Sequence, residues 1–181
     1  MSKLLILALI AGCLALPAQE TKHEITNSHG QAADSKPLSP SVPDVFAVSG
    51  HLDRIVVLRF KFGADLLAGL KQMIAQQHIK NAVILSGFGS VRGYQVHQVS
   101  NRDFPSKDMF VKDPTKPADI IGMSGMVMDG RVHPHITLAN GDQAFGGHLE
   151  PGTQVFTFAV ITLGVLDDKM DMSRFDDSSY R

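Results

Sequence analysis

The stretch GRVHPHITLANGDQAFGGHLE, residues 130–150, sets His133 and His135 one residue apart and His148 thirteen positions beyond the second. Neutral imidazole is the commonest protein ligand for metals. Three such nitrogens with a fourth position open to water form the pattern of a catalytic rather than a closed structural zinc site. In a strand alternate side chains share a face, so Arg131, His133, His135 and Thr137 point one way, the two histidines about 6.6–7 Å apart along the chain. The Asn140-Gly141-Asp142 run suits a tight turn because these residues tolerate positive φ. Folding back through it brings residues near 146–148 beside 133–135, and His148 within reach. Gly146 and Gly147 add no side chains and let the backbone come close. Pro134 cannot donate to a ladder, so an edge strand or an irregular stretch is expected there. The competing reading keeps the histidines as separate polar residues bonded to backbone or water; the grouping across one hairpin favours a shared ion. Zinc is the first candidate, and iron, nickel and copper accept the same donors.

Other reactive residues carry less. Arg59, in VLRFKFG, could clamp a substrate carboxylate through a bidentate pair, with a structural ion pair as the plainer reading. Glu150 is two residues past His148 and on its face, so it is a candidate acid/base or supporting carboxylate, or an ordinary surface Glu before Pro151-Gly152. These two are the catalytic candidates. Arg131 shares the histidine face but sits beside a turn and is expected to be solvated. Gly87-Phe88-Gly89-Ser90 has no lysine and no helix pattern behind it, so it reads as a tight turn between strands rather than a phosphate loop. Ser90 lacks the G-x-S-x-G setting of a nucleophile. Met123, Met126 and Met128 are expected in a strand that buries some of them.

The chain has 181 residues, 44% hydrophobic and 19% charged, enough for one globular domain with a true core. Net charge is −1, which supplies no basic field for phosphate backbones and argues against a nucleic-acid partner. The N-terminus opens with Lys3 and an apolar run from Leu4 to Leu16, too short to span a bilayer comfortably and better suited to a secretory signal. Residues 1–18 are therefore expected to be a signal peptide, and the mature protein to be periplasmic or secreted. Ile10-Ala11-Gly12-Cys13 resembles a lipobox, so membrane attachment through an acylated Cys13 is the alternative to cleavage near Ala18. Cys13 is the single cysteine, which leaves the folded domain without a disulfide or thiolate ligand.

Positioning the histidines requires a sheet. Residues 19–44 are rich in Ser, Pro, Asn, Asp and Gly and read as a flexible leader, with His23 and His29 solvated. VFAVSG and RIVVLRFKFG read as strands. Ala64–Ile79 places Leu66, Leu67, Leu70, Met73 and Ile74 on one stripe, with Asp65 in the first turn, and reads as the one helix. NAVILSG and VRGYQVHQV read as two more strands, residues 100–117 as a long loop, 119–149 as three antiparallel strands, and QVFTFAVITLGVL as a last buried strand. Residues 169–181 form a polar tail. The sum is an α+β domain: a mostly antiparallel sheet of about seven strands with one main helix.

LRFKFGADLLAGLKQ, AVILSGFGSV, DIIGMSGMV, HPHITLAN and FGGHLEPGTQV resemble, in order and spacing, the plant-and-prokaryote conserved (PPC) domain, and place it over about residues 45–168. The resemblance implies an α+β homotrimer whose prokaryotic members keep the three histidines, making His133, His135 and His148 the metal ligands. The fold is also similar to that of acetolactate decarboxylase, a zinc enzyme with an HxH…H set. Asp119 stands where the family usually has Glu. The plant relatives' AT-hooks have no counterpart here, so DNA binding is not carried over. The expected function is an exported PPC-domain protein holding a divalent metal through three histidines. Its rivals are a zinc-dependent lyase or hydrolase acting on a small carbonyl or carboxylate substrate, and a binding or scaffold module without a metal. A small-molecule ligand is compatible with the first two.

Overall fold

The computed structural model describes residues 23–28 and 37–181. The signal-peptide reading, Cys13 and His29 lie outside the described residues. Among the described residues, eight strands and one helix follow in the order β1 (Glu24–Asn27), β2 (Leu52–Lys61), α1 (Leu66–Gln76), β3 (Ala82–Val99), β4 (Asp108–Asp113), β5 (Ala118–Met128), β6 (Arg131–Ala139), β7 (Ala144–Leu149) and β8 (Gln154–Leu166). Every strand pair is antiparallel. The α+β class holds, with eight strands rather than seven.

The organising element is β3. β5 and then β4 pair along one of its edges, and β8 and then β7 along the other. Since β6 joins β5 to β7, the path β3–β5–β6–β7 returns to β3 and closes. Closure removes edges and lets inward side chains form a core. Val91, Val96, Val127, Leu138, Leu149, Val155, Ile161 and Leu163 are all fully enclosed. Leu66, Leu67, Leu70 and Ile74 of α1 join that core. Each such burial stabilises the fold by about 1.5–3 kcal/mol relative to an exposed side chain.

Several local expectations are corrected. Gly87-Phe88-Gly89-Ser90 is not a turn, because β3 runs straight through it. Its glycines serve close approach: a Cβ on Gly89, where φ is +139°, would stand 2.3 Å from the Phe158 carbonyl oxygen. The register shifts between Gly89 and Val91. Residues 45–50 form no strand; Phe46 is apolar because it packs edge-on against Phe175 and Tyr180 of the C-terminal segment. The 100–117 loop contains β4, and residues 24–27 of the leader pair with it as β1, adding the eighth strand. Exposed His23 stands 3.9 Å from Asp113. The helix contains the whole apolar stripe but is shorter than the expected Ala64–Ile79, beginning after Asp65, its N-cap, which accepts from the Ala68 amide at 2.8 Å, and ending at Gln76. β6 is interior to the sheet, not an edge. Pro134, which lacks a donor, is opposite Gly125, where φ is +131° and a Cβ would meet the His133 carbonyl oxygen at 2.2 Å.

Candidate metal centre

The three histidines found by spacing do meet. His135 pairs directly with His148 across β6 and β7. Ring centroids are 5.3 Å apart for His133 and His135, 4.7 Å for His133 and His148, and 5.7 Å for His135 and His148. They lie on the outer face of the closed sheet. Their in-strand neighbours Pro134, Ile136 and Leu149 are buried on the other side.

Two residues enlarge the group. His97 on β3 pairs with His148 from the opposite edge of β7, and the two rings stack at 4.6 Å with an interplanar angle of 21°. His97 was not among the candidates read from the sequence. Its signal is the alternation in YQVHQV, which buries Val96 and turns His97 outward, but the pairing with His148, fifty-one positions away, has no local mark. Glu150, the weak catalytic candidate, accepts or shares a proton with His97 Nδ1 at 2.6 Å and stands 3.5 Å from His148 Nδ1. His97, His148 and Glu150 each offer a ligand atom, all within 4.8 Å of one another.

Backbone geometry brings these strands together. A Cβ on Gly146 would come within 2.1 Å of the Ile136 carbonyl oxygen, and one on Gly147 within 2.2 Å of that of His97. Glycine is thus required on both sides of β7. At its far end the Glu150 amide donates to the Gln95 carbonyl at 3.0 Å, and the buried Thr153 hydroxyl donates to the same carbonyl at 3.0 Å. Asp65 accepts from the Gly152 amide at 2.6 Å, tying the helix start to the turn that follows Glu150.

Two of the rings, His135 and His148, are favoured in the neutral form. Burial pushes the His148 pKa below the ordinary histidine value, and neighbouring His97, His133 and His135 push it further; Glu150 opposes them. Burial, then His133 and His97, does the same to His135. A neutral imidazole is the ligating form. The donor set of imidazoles and one carboxylate suits a divalent transition metal. His148 Nδ1 is buried and finds no hydrogen-bond partner among the described residues. A buried polar nitrogen left without a partner calls for an explanation such as an ion.

The other candidates fall elsewhere. Arg59 is on β2 opposite Val160, its guanidinium 5.8 Å from the Phe158 ring centre, and lines a cleft with α1; it is not brought to the histidines. Arg131 is exposed opposite Met128. Asp119 is exposed and lines a cleft with Ser90 and Phe156. Ser90 shares a 2.6 Å hydrogen bond with Thr157, with no histidine involved. Met123 and Met128 are buried and Met126 partly so.

A closed antiparallel sheet with one helix, carrying a histidine and glutamate cluster on its outer face, defines an α+β domain with a candidate metal centre. The chain belongs to the Plants and Prokaryotes Conserved (PCC) domain family, whose model matches residues 47–167. A plant- and prokaryote-conserved protein from Pyrococcus horikoshii superposes with a TM-score of 0.57 at 24% identity, covering 69% of this chain and 87% of that one. A metal-containing protein from Archaeoglobus fulgidus gives 0.56 at 20% identity, covering 71% and 87%. Among curated sequences, the bifunctional protein GlmU of a Synechococcus strain is 30% identical over 111 residues, 61% of this chain but 16% of that protein. The chain therefore spans about a sixth of the length of that relative.

Proposed function

We propose that this is an exported, homotrimeric PPC-domain protein that holds one divalent metal, zinc first, through His133, His135 and His148. The carrying observation is the distance between His133 Nε2 and His135 Nε2, 3.2 Å. Two nitrogens bound tetrahedrally to one zinc at 2.0–2.1 Å stand about 3.3 Å apart. Adjacent His148, its ring centre 4.7 Å from that of His133, is the third donor of this reading, while its unpartnered Nδ1 stands 3.5 Å from Glu150 on the side of His97. Such an ion would act as a Lewis acid or lower the pKa of a bound water. The Archaeoglobus relative is a metal-containing protein, and the reading extends that property to this chain.

Metal analysis of the purified protein tests it. Wild type should carry about one ion per chain, and His133→Ala and His148→Ala well under a tenth of that. Equal content in all three would end the reading. If His97→Ala and Glu150→Gln lose the ion while His133→Ala and His135→Ala keep it, the ion belongs to the His97, His148 and Glu150 group instead. The zinc-enzyme alternative requires a carboxylate and an arginine facing the ion. Glu150 stands beside His97 and His148, and Arg59 lines a cleft against α1, so the proposal is stated as metal binding. Export is read from the Leu4–Leu16 run, and the intact mass of the mature chain distinguishes cleavage near Ala18 from acylation at Cys13.

A further inference from the structure

Residues 168–181 lie past the family match, and 169–181 read as a polar tail, yet the structure fastens this segment to the domain. The Asn81 side chain donates to the Met170 carbonyl at 3.0 Å, and Lys80 Nζ to that of Asp168 at 3.1 Å. Met172 is buried, and the Phe175 ring lies 4.9 Å from that of Phe46. These anchors carry Asp176 onto the histidine face, where its Oδ1 stands 2.8 Å from His133 Nδ1. His133 Nε2 is the nitrogen turned towards His135.

A neutral imidazole has one ring proton and one lone pair. An ionised carboxylate only accepts, so with Asp176 on Nδ1 the proton is held there and the lone pair is left on Nε2. Hydrogen bonding of this kind fixes the tautomer and orientation of metal-bound histidines and raises their basicity. We propose that Asp176 is a positioning residue of the metal centre. It presets His133 for ligation through Nε2, and the C-terminal segment outside the matched domain is thereby part of the site. The inference rests on the metal reading above.

Two measurements test it. Long-range proton–nitrogen correlation spectra of the metal-free protein, taken above the histidine titration range, should show His133 protonated on Nδ1 in wild type. In Asp176→Ala the proton should move to Nε2. Zinc affinity, measured by competition with a chelating dye, should fall roughly 10–100-fold in Asp176→Ala. Asp177→Ala is the control: it removes the bonds to Ser179 and Arg174 within the same segment but leaves the Asp176 carboxylate. An unchanged tautomer and affinity in Asp176→Ala would overturn the proposal, as would an equal loss in Asp177→Ala. If wild type binds no zinc, the metal reading fails by itself, and the tautomer alone then decides whether Asp176 presets His133.

Discussion

At the scale of single residues, two rings of the candidate centre, His135 and His148, are held towards the neutral form by burial first and by their neighbours second. His135 and His148 titrate below the ordinary histidine value in the fold, chiefly through burial. The unfolded chain takes up protons on these residues from about pH 6.5 downward, while the folded chain resists. Their contribution to stability is therefore complete above that value and declines as the pH falls towards the folded pKa values, below which it levels off. Urea midpoints of metal-free protein should drop across this window, and His148→Gln should remove part of the drop. Asp113 is shifted in the same direction, but the deprotonated form favoured there is the charged one. Burial raises its pKa, but hydrogen bonds from the Thr115 amide and hydroxyl and the Lys116 amide, with the Lys116 charge, outweigh it and hold the carboxyl below the usual range. Asp113→Ala strands those donors where the chain passes from β4 to β5. A loss of about 2–4 kcal/mol in chemical denaturation is expected.

At the scale of elements, the site depends on how closely β7 lies between β6 and β3. Gly147→Ala would put a Cβ 2.2 Å from the His97 carbonyl oxygen, so β7 must shift off β3, separating the stacked rings of His148 and His97. The expected cost is about 1–3 kcal/mol, typical of overpacking, together with reduced metal content, read by thermal melting and metal analysis. This also explains what could be read beforehand. The hairpin of β6 and β7 was legible because period-two alternation and an Asn-Gly-Asp turn are local signals, and they place His135 opposite His148. The contribution of β3 was not, because nothing in YQVHQV marks which strand it will join. The glycines of GFGS signalled an irregularity correctly but not its kind: a bulge and a turn ask for the same residues, and only the β8 backbone pressed against Gly89 decides between them. Asp176 was invisible because a run of Asp and Ser looks solvated until Met172 and Phe175 are seen to anchor it.

At the scale of the molecule, closing the sheet leaves one face unexplained by the fold. On β2, β8 and β3 the side chains turned away from the core include Ile55, Val57, Phe158 and Phe88. Val57 is 63% exposed and Phe88 50%. Registers of Arg59 with Val160 and of Val160 with Phe88 make these positions contiguous. Phe88 and Phe158 meet edge to face at 6.4 Å, and Arg59 lies over Phe158. A contiguous apolar patch on a strand face marks an interaction surface rather than ordinary scatter. An aromatic pair with an arginine across it has the composition of an interface centre. Under the homotrimer proposed above, this face is the contact surface and Arg59 lies within it rather than at the metal. Sedimentation velocity should then report about three chain masses for wild type. Val57→Glu and Phe88→Asp should release monomers, because each introduces an unpaired charge into a surface that must lose its water. The histidine cluster is built from β3, β6 and β7 of one chain, with Asp176 from the same chain. The monomeric variants should therefore keep their metal, and loss of metal on dissociation would show that the partner subunit completes the site.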